Sequence, residues 1–184
     1  DELASNAAVF LFGGIETTEG MISNLLLHLL VHPVQLAAVA ADRSLVDAAI
    51  EESLRLEPSV ARVDRYATAA TELAGCTIAE GDFVVVSLSG ANRDPEVYAR
   101  PHEFDIARSG EPAHLAFVQG PHACIGAQLA RLEARAAVHA VLEALPEVGL
   151  DTRDDTVDEG SVDGVVFRKA AAVPARWVPA APPS

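Results

Sequence analysis

The stretch Phe117-Val118-Gln119-Gly120-Pro121-His122-Ala123-Cys124-Ile125-Gly126 sets a single cysteine at the end of a loop rich in glycine and proline. A strongly amphipathic run follows at once, from Gly126 to Leu145. Its periodicity predicts a helix, with Leu129, Leu132, Ala136, His139 and Leu142 as one packing face. A helix N-terminus favours an anion, so a thiol placed there is biased toward the thiolate. A thiolate can bind a metal or act as a nucleophile. A lone cysteine is more often a small buried hydrophobe, however, so position alone does not decide between these roles.

Upstream, residues 91–121 carry little periodicity and hold Pro95, Pro101, Pro112, Pro121, Gly110 and Gly120. So long a structureless stretch inside a compact domain is commonly functional. Before it, from Ser59 to Ser89, short β-prone segments (Glu72-Leu73, Thr77-Ile78, Phe83 to Val86) alternate with turns at Ala74-Gly75 and Glu80-Gly81-Asp82. These predict a small antiparallel sheet. The first third is helical in pattern. One long helix runs from about Leu3 to Val31, ended by Pro33, and a second covers about Pro33 to Ala41. A third, capped by Asp42 or Ser44, continues to Leu56 before Pro58, with Leu45, Ala48, Ala49, Glu52 and Leu56 at helical spacing. Downstream of the cysteine helix, Asp151 to Gly164 is an acidic, exposed segment. Val165 to Arg168 and Val173 to Val178 read as a terminal hairpin, and Pro179 to Ser184 as a frayed tail. The fold class is therefore mainly α with small antiparallel β-sheets, in one domain of 184 residues.

Composition narrows the partners. Thirteen Lys and Arg stand against 27 Asp and Glu, a net charge of −14, which disfavours nucleic acid and anionic membrane surfaces. The two cysteines, Cys76 and Cys124, read as reduced thiols of a cytoplasmic protein rather than a disulfide framework. No second Cys or nearby His gives Cys124 the ligand spacing of a zinc site. The chain opens Asp1-Glu2-Leu3 without the pattern of a signal peptide. The apolar run from Ala7 to Val31 is interrupted by Glu16, Thr17, Thr18, Glu19 and Asn24, so it reads as a buried helix of a soluble protein rather than a membrane anchor.

Two further constellations carry chemistry. Within the first helix lies Phe12-Gly13-Gly14-Ile15-Glu16-Thr17-Thr18. Each interior glycine costs about 1 kcal/mol relative to alanine. The cost points to a kink, to the close approach of a ligand, or to a helix-packing notch with Glu and Thr at the surface. In the third helix, Glu52 and Arg55 share a face at i, i+3. Taken alone this pair is weak, because such pairs are commonly solvated.

Taken together, these stretches resemble the cytochrome P-450 family, in its soluble bacterial-type members, from about Ala7 to Val178. The cysteine loop matches in Phe117, Gly120, His122, Cys124 and Gly126, followed by Leu129-Ala130-Arg131. The resemblance implies the C-terminal portion of that fold, without the N-terminal half, and haem b (iron protoporphyrin IX) as cofactor. Cys124 would then be the thiolate ligand to iron, a ligand that favours O–O cleavage. Phe117 would shield the sulfur. The family usually has glycine where this chain has Val118, and a β-branched residue is strained wherever φ is positive.

Further roles follow from the same resemblance. Gly13 and Gly14 make room over the iron, and Thr17 and Glu16 form an acid–alcohol relay for protons. Arg65 and His122 meet the haem propionates. Glu52, Arg55 and Arg108 form a structural network. The implied activity is monooxygenation of a small hydrophobic substrate with O2. Electrons would come indirectly from NAD(P)H through a ferredoxin or flavodoxin and its reductase, docking near Cys124, where Arg131 and Arg135 supply positive charge. The loops around Val60 to Val63 and near Val165 are expected to shape the pocket. The rival readings are a truncated half-domain without catalytic activity and a peroxide-driven haem-thiolate enzyme or dehydratase.

Overall fold

The computed structural model describes residues 1–153 and 161–178, and among these five α-helices and eight short strands surround one apolar core. Helix α1 spans Glu2–Val31 as a single rod, glycines included. His32 caps its end and begins α2 (Pro33–Ala41), with Pro33 in the first turn, where its missing N–H costs nothing. The side chain of Asp42 accepts from the Ser44 amide at 2.9 Å and caps a 3-10 turn, Arg43–Leu45, that leads into α3 (Val46–Leu56). Strand β1 (Arg62–Tyr66) pairs antiparallel with β4 (Phe83–Ser87), Arg62 opposite Ser87 and Tyr66 opposite Phe83. Between them β2 (Thr71–Leu73) and β3 (Cys76–Ile78) form a hairpin around Ala74-Gly75, both at positive φ. The expected sheet is thus two separate two-stranded ladders. One of its two five-residue members, β1, is a strand that the sequence pattern did not single out.

The core is built where α1, α2, α3 and α5 (Ala127–Ala144) meet. Leu25, Leu29, Val39, Ile50, Leu54, Ala134 and Val138 fill it. Two expectations about helix faces change here. Only the second half of α1, from Gly20 onward, is buried. The first half, including Phe10, Leu11 and Ile15, is exposed, and among the described residues no single helix is long and apolar enough to cross a membrane. Helix α5 packs through Ala134 and Val138, whereas Leu129 and Leu132, placed on the packing face by periodicity, are 59% and 55% exposed. The small residues win because α1 and α3 approach this side closely, and the larger leucines lie on the side that these helices leave open.

After β4 comes a short helix, α4 (Leu88–Ala91), and then residues 92–126 without regular structure. The terminal pairing also differs from the expected hairpin. Strand β6 (Val162–Asp163) pairs with β7 (Lys169–Ala170), so Val165 to Arg168 is the turn between them. Strand β8 (Ala175–Arg176) returns to β5 (Gly149–Leu150). Most of the acidic segment, residues 154–160, and the tail, residues 179–184, lie outside the described residues.

One charged network holds the irregular segment to α3. Glu52 and Arg55 are 5% and 2% exposed and pair twice, at 2.8 and 2.9 Å. Arg108 donates to both Glu52 oxygens at 3.1 Å, and the Asp105 amide adds a bond to Oε1 at 3.0 Å. Arg55 also donates to the carbonyls of Asn92, Pro101 and Glu103, while Arg108 donates to those of Ala99, Arg100 and Glu103. Backbone groups that would find partners in a helix or sheet find them here in two guanidiniums.

Beside this network, buried His28 of α1 bonds Ser53 of α3 at 2.9 Å and stacks on Phe104. Burial, then the cations His32, Arg93 and Arg55, lower its pKa to about 3. The unfolded chain takes up this proton near pH 6.5, whereas the folded chain does not until about pH 3. Stability is therefore lost as pH falls through this window, by at most about 1.4 kcal/mol per pH unit. Denaturant unfolding between pH 6.5 and 5 should show this slope, and His28→Gln, which can still bond Ser53, should flatten it. Equal slopes for the two proteins would show that His28 is not the group responsible.

Candidate functional site

The cysteine loop hangs between the irregular segment and α5. Its neck is closed by the Cys124 amide donating to the Phe117 carbonyl at 3.0 Å, and its turn by Ala123 N–H to Gly120 O at 3.0 Å. Gly120 has φ +85°, a conformation that glycine adopts without a Cβ penalty. Val118 has φ +58° and is the β-branched residue among the four described non-glycine positions at positive φ. Such a residue is strained by roughly 1–3 kcal/mol. Gly126, the N-cap of α5, is different. Its φ is −83°, and a Cβ there would stand 3.8 Å from the Cys124 sulfur, in ordinary contact.

Phe117 is held from two sides. The Arg131 guanidinium lies 4.6 Å from its ring centroid, and the His114 ring packs at 6.2 Å. Both partners are fixed by Glu51 of α3. Arg131 reaches it bidentately at 2.6 and 2.9 Å, and His114 Nε2 at 3.2 Å. The Ala116 amide donates to His114 Nδ1, which leaves Nε2 as the protonated nitrogen that donates to Glu51. Burial alone would raise the Glu51 pKa, but the hydrogen bonds from Arg131 and His114 take it down to about 2. The Glu51–His114–Arg131 triad was not anticipated from the sequence. Its members lie up to 80 residues apart, and only the i, i+3 neighbour Glu52–Arg55 leaves a local trace.

Cys124 opens onto a cavity of about 280 Å³. Phe12, Gly13, Thr17 and Thr18 of α1 form one side, and Phe117, Val118 and Cys124 form another. Leu54, Val60, Val63 and Phe167 complete an apolar lining. Nothing lies within 4 Å of the Cβ positions of Gly13 and Gly14, so α1 is open above them. The Thr17 hydroxyl donates back to the Gly13 carbonyl one turn earlier, which spends its proton and leaves its lone pairs free.

The sequence candidates thus divide. Gly13, Thr17, Phe117 and Cys124 share the cavity. Gly14 adjoins it on α1, and Gly120 and Gly126 shape the loop behind the sulfur. Glu16 is exposed and lies off the cavity lining. Arg65 is exposed on β1, its guanidinium on the Asp64 carbonyl, but two residues along from Val63 it shares that residue's face of the strand. His122 is exposed in the loop. Glu52, Arg55 and Arg108 lie away from the cavity, in the network behind the loop. Phe12, Leu54 and Phe167 are lining residues to which sequence reasoning gave no site role. Arg131 and Arg135 differ from their expected role as local positive charges. Glu51 neutralises the first, and Asp47 the second at 2.7 Å.

These residues would fit an apolar prosthetic group held through the Cys124 sulfur. A thiol opens into the cavity, the walls are aliphatic and aromatic, and a glycine-bearing helix leaves space on another side.

Comparison with known proteins identifies the family. The family model described as Cytochrome P-450 matches residues 1–162. The chain is 44% identical over 181 residues to the cytochrome P-450 monooxygenase PikC of Streptomyces venezuelae, covering 96% of this chain and 42% of that protein. It is 41% identical over 150 residues to the biotin biosynthesis cytochrome P-450 of Bacillus subtilis, covering 82% and 38%. Among solved structures, the tirandamycin C-bound P-450 monooxygenase TamI superposes with a TM-score of 0.86 at 37% identity, over 96% of this chain and 44% of that one. The chain therefore spans less than half the length of these relatives.

Replacing Val118 by glycine relieves the left-handed strain, and should stabilise the protein by about 1 kcal/mol after the added flexibility of the unfolded chain is subtracted. Gly120→Ala should destabilise by a similar amount, whereas Gly126→Ala should leave folding intact. Chemical denaturation of the three variants checks this order, and a destabilised Val118→Gly would contradict it.

Proposed function

This chain belongs to the cytochrome P-450 family, and from that premise we propose that the whole protein is a haem-thiolate monooxygenase acting on a small hydrophobic substrate. The observation that carries this reading is one cavity lined both by the Cys124 loop and by the Gly13–Thr18 stretch of α1. Haem held there supplies reductive activation of dioxygen. Cys124, exposed in this chain, would hold it through its thiolate, and Phe117, clamped by Arg131 and His114, would flank that sulfur. Gly13 and Gly14 leave the ligand side open. Thr17, its own proton donated to the Gly13 carbonyl, accepts a hydrogen bond at Oγ1 from a proton donor on the cavity side. Glu16, exposed one residue away, is the acid partner of that hydroxyl in the proton relay. Arg65, on the face of Val63, and His122 in the loop supply positive or donor groups for the propionates.

Electrons come from NAD(P)H through a ferredoxin or flavodoxin and its reductase. The neutralised Arg131 and Arg135 do not by themselves mark that partner's docking site. The apolar lining supports a hydrophobic substrate, and a cytoplasmic location suits such an electron supply.

A second reading has support in the exposed Phe10, Leu11, Ile15, Leu129 and Leu132. Residues 1–184 alone would then be a non-catalytic piece that needs further protein to cover this surface. Haem content of the 184-residue chain against that of the longer protein separates the two.

In the longer protein, the reduced carbon monoxide complex should show the strongly red-shifted Soret band of thiolate ligation, and Cys124→Ala should abolish it. A retained band would remove Cys124 from the role. Thr17→Ala should keep the haem and the reductant consumption and lower substrate oxidation about tenfold or more, with hydrogen peroxide released instead. Full turnover with peroxide alone and no reductase would instead support the peroxide-driven alternative.

A further inference from the structure

A second buried carboxylate, remote from Cys124, organises the C-terminal part of the cavity. Glu57 ends α3 and is 6% exposed. It receives Arg93 Nη2 at 2.8 Å on one oxygen and Arg168 Nε at 2.7 Å on the other. The same Arg168 closes the β6–β7 turn through its bond to the Gly164 carbonyl at 2.8 Å. Its backbone is tied down as well, N–H to Ser59 O at 2.9 Å and C=O from Asn24 Nδ2 at 3.1 Å. Asn24 also accepts from the Ala170 amide at 2.8 Å. Gly20 of α1 makes this approach possible, since a Cβ there would meet the Arg168 carbonyl at 3.3 Å. The residue between these anchors is Phe167. It bridges to Val60, packs edge-on against Phe12 with centroids 5.3 Å apart, and lines the cavity.

Chemically, this arrangement separates two tasks. The backbone bonds of Asn24 and Ser59 fix where the chain passes. The Ala61 amide holds the Val166 carbonyl at 2.8 Å, and the Arg168 side chain ties the other end of the turn 164–168 from within, through the Gly164 carbonyl. Loss of the Glu57 carboxylate frees Arg168, and with it the turn that sets the Phe167 ring. We propose that Glu57 is a positioning residue for ligand selection: acting through Arg168, it sets the depth at which Phe167 closes the cavity. This rests on the reading of the cavity as a ligand site, and goes beyond it by assigning a role to an acid that touches neither cofactor nor ligand.

The experiment uses the full-length, haem-loaded protein and two azole probes of different bulk, imidazole and 4-phenylimidazole, titrated by their optical difference spectra. Glu57→Gln should change the affinity ratio of the two probes by about five- to tenfold, the scale of one aromatic contact, mostly through the larger probe. Hydrogen exchange at residues 164–170 should rise in the same variant, without the azoles. Arg168→Gln, which leaves the Glu57–Arg93 pair in place, should act the same way and serves if Glu57→Gln does not fold. Phe167→Ala should shift the ratio by itself and cancel the effect of Glu57→Gln in the double variant. An unchanged ratio in Glu57→Gln and Arg168→Gln, with thermal stability lowered, overturns the proposal and leaves Glu57 as a structural residue. So does an undiminished effect of Glu57→Gln on the Phe167→Ala background. If the wild-type protein binds neither azole, the cavity reading falls and takes this proposal with it.

Discussion

Everything near Cys124 depends on the carboxylate of Glu52. Residues 92–126 have no ladder to hold them, so their carbonyls must find donors elsewhere. Arg55 and Arg108 supply those donors, and both guanidiniums can be buried only because Glu52 neutralises them and fixes their planes. Burying three charges is costly, and a well-packed apolar cluster of the same size would be at least as stable. What the charged cluster adds is direction. Each guanidinium presents its donors in a fixed fork, so the carbonyls of Ala99, Arg100, Pro101 and Glu103 are held at defined positions. An apolar cluster would leave this segment free to slide. The loop that follows would then present its sulfur at no defined place.

A second constraint sits directly on the loop. A valine at positive φ persists only where the chain on both sides is over-determined. On one side stands the Leu115 amide, held by Asn92 at 2.7 Å; on the other stands the closure of Cys124 onto Phe117. Glu51 braces the same neck by holding both residues that clamp the Phe117 ring. Two neighbouring acids of α3 thus serve different purposes. Glu52 faces the irregular segment, and Glu51 faces the loop and α5.

What the sequence disclosed and what it hid follow from the range of the interactions. The helix ends at Val31 and Leu56, the cysteine loop and the glycine-bearing turn of α1 all rest on residues within a few positions of one another, and each was legible. The α5 face was not. Periodicity marks Leu129 and Leu132 as apolar but does not say which of two apolar stripes meets α1 and α3. The close approach selects alanine and valine, a preference imposed by the neighbours. The pairing of β8 with β5 was hidden because two-residue strands carry no alternation. The Glu51 and Glu57 nodes were hidden because an acid looks the same in sequence whether water or an arginine 80 or 111 residues away is its partner.

Helix α1 shows how the cavity can be set from one end. Its second half is fixed by the core, by His28 on Ser53 and by Asn24 on the C-terminal strands, while its first half projects with apolar residues exposed. Thr17 lies at the border between the two. Because an α-helix is stiff over a few turns, the fixed half sets the rotation of the projecting half, and thereby which residues face Cys124. The two interior glycines do not break the rod, since the buried half supplies the packing that keeps a helix of poor local propensity intact. The placement of Gly13 and Thr17 is therefore a consequence of contacts made one to three turns further on. Protein covering the exposed half would add apolar burial to this register without having to create it.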